Sequence, residues 1–121
     1  DLWSEDSSAP YYNQHLRIDH EPATTWEKKA QMRQNDYPHS LKLFIKHNAA
    51  TPLKPATQNA GSSIFFHIWR NGGKASTFGC TTLPEPALRQ LISKLNPRKS
   101  PLYILLPQSE YNRLKPLWKL P

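Results

Sequence analysis

Ser63-Ile64-Phe65-Phe66-His67-Ile68-Trp69 is the stretch that decides the fold. Isoleucine and aromatic side chains dominate it, and such a run predicts a strand. Its two-residue period puts Ile64, Phe66 and Ile68 on one face. Ser63, Phe65, His67 and Trp69 share the other, which reads as the exposed side. Asn71-Gly72-Gly73 then breaks the run. Upstream, Leu41–His47 alternates, with Leu41, Leu43 and Ile45 on one side and Lys42, Phe44 and Lys46 on the other. That pattern predicts a strand with one buried face. Downstream, Leu88, Leu91, Ile92 and Leu95 fall at i, i+3, i+4 and i+7, the apolar stripe of a helix. Thr82 with Glu85 forms a capping-box pattern, and Pro84 and Pro86 fit only a first turn. The helix is therefore expected to start near residue 83, and Asn96-Pro97 ends it. Leu102–Leu106, between Pro101 and Pro107, reads as a central buried strand.

The flanks carry weaker signals. Residues 1–25 read as irregular, with an aromatic island at Tyr11-Tyr12. Trp26–Gln34 predicts a short surface helix docked by Trp26, Ala30 and Met32. Residues 49–62, with Pro52 and Pro55, form a long loop, and such a loop in a small domain is either functional or floppy. The tail from Ser109 to Trp118 predicts a short helix interrupted at Pro116, with Tyr111, Leu114 and Trp118 facing in. The sum is a mainly β chain with a few helices, one domain over residues 1–121. Residues 1–40 form its irregular segment, and residues 41–121 hold the strands and the well-specified helix.

Composition narrows the function. The chain has 121 residues, 16 Lys and Arg against 9 Asp and Glu, and a single Cys. One Cys cannot pair within the chain, which excludes a disulfide scaffold. No apolar run approaches the roughly 18–20 residues of a membrane span. The first residues, Asp1-Leu2-Trp3, lack both an initiator Met and a signal-peptide pattern. They are expected to be an internal point of a longer protein whose leader is gone. The net charge of +7 lies wholly in residues 61–121, since residues 1–60 hold as many acids as bases. A basic half attracts anionic partners. Its bases are dispersed, however, and no nucleic-acid motif accompanies them, so nucleic acid is not the expected partner.

One constellation carries chemistry. Cys80 follows Gly79 in a turn that the sequence places just ahead of the helix. A helix N-terminus favours a thiolate, and the N–H groups of such a turn can form an oxyanion hole around Gly79 and Cys80. Gly79 lets the backbone take a turn closed to other residues. His67 on the preceding strand can act as the general base. Against this stand the ordinary roles of a lone Cys as a small buried hydrophobe and of a lone strand His as a structural residue. The five histidines never take a paired ligand spacing, so no metal is expected. No cofactor motif is present.

Gly61-Ser62-Ser63-Ile64-Phe65-Phe66-His67-Ile68-Trp69-Arg70, followed by Ser76-Thr77-Phe78-Gly79-Cys80-Thr81, resembles the signature of YkuD-type L,D-transpeptidases. It looks most like the branch in which a Gly-Ser-x-Ile-Phe-x-His strand precedes Thr-x-Gly-Cys. Ser4–Asn13, Leu41–Asn48 and Leu95-Asn96-Pro97 resemble outlying segments of the same branch. The resemblance implies a β-rich sandwich, incomplete here because its early strands precede the region matched. It implies a periplasmic or cell-wall enzyme acting on peptidoglycan tetrapeptide stems that end in meso-diaminopimelate–D-alanine. Cys80 would form a thioester with the diaminopimelate carbonyl, with His67 as proton carrier. Carbapenems would acylate the same thiol. An associated N-terminal fragment of the same protein is a further implied partner.

Two positions depart from the wider family. Phe78 stands where many members have His, and Thr82 where many have Arg. These departures leave open whether an amine or water resolves the thioester, and therefore whether the enzyme is a transpeptidase or an L,D-carboxypeptidase. A catalytically idle binding module on the same fold is the other alternative. Thr77, Arg70, Trp69, Tyr12, Asn13 and Asn48 are the candidates to contact substrate.

Overall fold

A computed structural model describes residues 1–121. Its centre is a three-stranded sheet of Lys42–Phe44, Phe65–Ile68 and Thr81–Leu83, here β3, β4 and β5. Strand β4 lies in the middle. It runs antiparallel to β3, with Lys42 opposite His67 and Phe44 opposite Phe65, and parallel to β5, with His67 beside Thr82. A smaller sheet pairs Leu2–Trp3 (β1) with His15–Leu16 (β2). Three α-helices complete the chain: α1 at Thr25–Lys29, α2 at Glu85–Lys94 and α3 at Gln108–Trp118. The architecture is mixed α/β rather than the expected β-sandwich, because much of the predicted β content does not pair.

The apolar period of β4 is realised as read. Phe66 and Ile68 meet Leu88 of α2 in a core completed by Leu41, Leu43, Ile45, Leu83, Leu91 and Ile92. The opposite face is not exposed, however. Phe65 and His67 are both buried. Trp3 covers that face, with its ring 4.2 Å from Phe44 and 5.5 Å from Phe65, centroid to centroid. The segment expected to be irregular is thus the second layer over the sheet. Trp3 N–H donates to the Ala30 carbonyl at 2.8 Å, and Met32 N–H to the Asp1 carbonyl at 3.1 Å. Pairing with β1 takes residues 30–32 out of helical geometry. That is why α1 stops at Lys29 although helix-favouring residues continue. At its other end α1 has a complete capping box between Thr24 and Glu27.

Three further expectations are corrected. Thr82 does not cap α2, because it pairs in β5. Pro84 takes the cap position, and Glu85 binds Arg89 and the Tyr37 hydroxyl. Leu102–Leu106 is not a buried strand. It forms no ladder, and Leu102 is 91% exposed. Pro101 and Pro107 bound the run, and neither has an N–H to donate to a ladder. Only Tyr103 docks, edge-on to Phe66 and hydrogen-bonded to Thr81. In α3, Leu114 faces in as expected, but Trp118 is exposed, and the helix runs through Pro116 for a last turn.

Candidate active site

The site lies where β4 and β5 run side by side. The last registered pair before the turn is Phe66 and Thr81. Continuing that register by one residue sets Cys80 beside Phe65. Side chains alternate along a strand, so Phe65, His67 and Cys80 point to the same face of the sheet. Both His67 and Cys80 line one cavity of about 970 Å³, together with Ser63, Ile64, Thr77 and Phe78.

The turn that presents Cys80 is locally determined. Gly79 has φ +136°, and a Cβ there would stand 2.9 Å from Ile64 Cδ1, so both the backbone and the neighbour demand glycine. Thr77 Oγ1 donates to the Cys80 carbonyl at 2.6 Å and accepts from Gly79 N–H at 3.3 Å, which staples the turn shut. The Cys80 N–H makes no hydrogen bond within the protein. It is a free donor beside the thiol, whereas the Gly79 N–H is already held by Thr77. The half-buried Cys80 Sγ itself donates to the Ser63 carbonyl at 3.5 Å. One expectation fails here. Cys80 does not sit at the start of a helix, because β5 intervenes and α2 begins at Glu85. The positive end of α2 is therefore not what lies next to the thiol.

His67 is 3% exposed. Its Nδ1 lies 2.8 Å from the Ile68 carbonyl. A carbonyl only accepts, so Nδ1 carries the proton and Nε2 keeps its lone pair. Nε2 has no hydrogen-bond partner in the protein, which leaves it able to take a proton.

Sequence reasoning missed a polar cluster on the far side of His67. The His39 ring packs tilted against the His67 ring, 4.6 Å between centroids at 35°. His39 Nδ1 lies 2.7 and 2.8 Å from the two Asp36 oxygens. Arg70 Nη2 binds Asp36 Oδ2 at 2.8 Å. That hydrogen bond, more than any other contact, lowers the Asp36 carboxyl to a pKa of about 2. Burial pushes His39 below the ordinary imidazole value, and the Asp36 bond only partly opposes it. Lys42, opposite His67 in the ladder, also enters the cavity, and its Nζ donates to the Met32 carbonyl at 2.8 Å. Burial lowers its pKa, against the pull of negative charge on Asp36, Cys80 and Glu5. Lys42 was legible as a residue on the face opposite the core. The Asp36–His39 turn had no periodic signal to reveal it.

The other candidates divide. Thr77 and Arg70 line the cavity; Trp69, Tyr12, Asn13 and Asn48 do not. Trp69 packs over Gly73, and Tyr12 is buried. Asn13 is 1% exposed and fully engaged. Its Oδ1 accepts from Trp3 Nε1 and Ser63 N–H, and its Nδ2 donates to the His47 and Asn48 carbonyls. Asn48 braces the long loop through Thr57 and Gly61. Asn13 and Asn48 shape the scaffold and have no side-chain polar atom left for a substrate. No three His, Cys, Asp or Glu side chains converge as a metal site. No helix is long and apolar enough to cross a membrane.

No family model matches the chain, and neither a curated protein nor a solved structure matches it.

Proposed function

We propose that this chain is the His/Cys-bearing part of a YkuD-type L,D-transpeptidase acting on peptidoglycan tetrapeptide stems. The observation that carries the reading is the state of His67. Its Nδ1–H is pinned to a backbone carbonyl and its Nε2 is unoccupied, on the face of the sheet that also bears Cys80. In the reaction, Nε2 takes the Cys80 thiol proton. The sulfur attacks the diaminopimelate carbonyl carbon, and the Cys80 N–H supports the oxyanion. The C–N bond breaks, His67 returns the proton to the departing D-alanine amine, and a thioester remains. A stem amine then resolves it; where water does so instead, the protein is an L,D-carboxypeptidase. Lys42 supplies a positive charge to the cavity where the thiolate forms.

The reading places the protein outside the cytoplasmic membrane, in the periplasm or the cell wall. It also makes the chain one portion of a larger sandwich, to which an N-terminal fragment of the same protein would add strands. Leu102 and Leu105, exposed and outside any ladder, suit such a role. Incubation with a disaccharide tetrapeptide ending in diaminopimelate–D-alanine tests the activity. Wild-type protein should release D-alanine and Cys80→Ala should not. Equal release by both would overturn the reading.

A further inference from the structure

We propose that His39 is a positioning residue for the general base, acting through the ring it packs against His67. The inference deepens the thiol-enzyme reading and rests on it. His67 is held along one edge only, by the Ile68 carbonyl. A single hydrogen bond at Nδ1 fixes one edge of the buried ring and leaves its tilt, and so the place of Nε2, to the groups packed against its face. The His39 ring, 4.6 Å away, limits that tilt from the side. His39 cannot easily turn in its place, because Asp36 holds its Nδ1–H with both carboxylate oxygens, and Arg70 holds Asp36. The chain Arg70–Asp36–His39–His67 therefore runs from a half-exposed cation inward to the base.

The same arrangement has an electrostatic consequence. When His67 accepts the Cys80 proton it becomes a cation, and a neutral aromatic face against a cation is favourable. A protonated His39 in that place would repel it. The groups that set the charge around His39 are Asp36 on its own turn, Lys42 on β3, and His67 and Arg70 on and just after β4. Glu5 and Cys80 lie across the cavity. Burial disfavours the charged form of His39. Protonation of His39 in acid would place a cation against the base and oppose catalysis.

The experiment is the pH profile of carbapenem acylation, followed by intact mass, for wild type, His39→Ala, His39→Phe and Asp36→Asn, each checked for folding by circular dichroism. Loss of the packed ring in His39→Ala should slow acylation at pH 7 about tenfold, a modest part of the 10²–10⁴ that a general base supplies. His39→Phe keeps a neutral ring face and should restore the rate to within about threefold of wild type. The acid limb should be steeper in wild type than in His39→Phe. A ring that only fills space would leave that slope unchanged. Asp36→Asn, which loosens His39 without removing it, should fall between wild type and His39→Ala. Wild-type acylation with the same rate and slope in every variant would overturn the inference and leave the thiol reading standing. A wild type that is never acylated would overturn both.

Discussion

Asn13 and Cys80 both hold Ser63, one by its N–H and the other by its carbonyl. Ser63 sits between them with φ +55°, a left-handed conformation uncommon for serine. The two neighbours differ in what they have left over. Asn13 satisfies four partners and is sealed from solvent. Cys80 is half-buried, keeps a free N–H, and shares its cavity with an imidazole nitrogen that has no partner. Polar groups buried away from water are normally paired. The saturation of Asn13 therefore fits a structural role, whereas the free groups of Cys80 leave it able to meet a ligand. Asn13 fixes the strand entry through the Ser63 N–H, and Thr77 closes the Cys80 turn.

Substitutions can break this contrast. The largest effect belongs to the reactive side. His67→Gln removes the base but keeps a hydrogen-bonding side chain, and it should slow acylation by about 10²–10⁴-fold, measured by stopped reaction and mass. Stability should change little by comparison. Asn13→Ala should do the reverse. It strands the Trp3 Nε1, the Ser63 N–H and two carbonyls, and buried unpaired groups cost about 1–3 kcal/mol each before relaxation. Urea unfolding should show a loss of at least about 2 kcal/mol, while the fraction that remains folded still acylates. Gly79→Ala sits between the two regions. Its φ of +136° and the close Ile64 methyl should cost about 1–3 kcal/mol, with the reactivity of Cys80 falling alongside.

These contrasts were only partly legible in the sequence. The period-two pattern of residues 41–47 and 63–69 gave the strands, and the stripe on Leu88 gave the helix, because both are regular repeats. Trp3 was invisible, and Asn13 was named as a substrate contact rather than a scaffold residue, since burial of an irregular segment depends on distant partners such as Ala30 and His47. The run 102–106 misled in the opposite direction. Apolar content alone does not provide a neighbouring strand edge, and flanking prolines discourage one. Among the cavity residues, His67 and Cys80 were singled out by type and spacing. His39 and Asp36 were not, because packing between rings has no sequence period.

The smallest predicted effect concerns acid. The Arg70 guanidinium holds Asp36 near a pKa of about 2, below the ordinary carboxylate value of 3.8. A depressed carboxylate contributes stability that is complete above the unfolded value and is lost as pH falls through the folded one. Wild type should therefore lose this contribution between about pH 4 and pH 2. Asp36→Asn, followed by urea midpoints across that range, should show a flatter profile.

If Cys80 is a nucleophile served by His67, the intact protein should gain mass on incubation with a carbapenem. One adduct is expected, mapped to the peptide that contains Cys80 and absent from Cys80→Ala. A folded wild-type protein that gains no mass, or an adduct that persists in Cys80→Ala, would contradict that role.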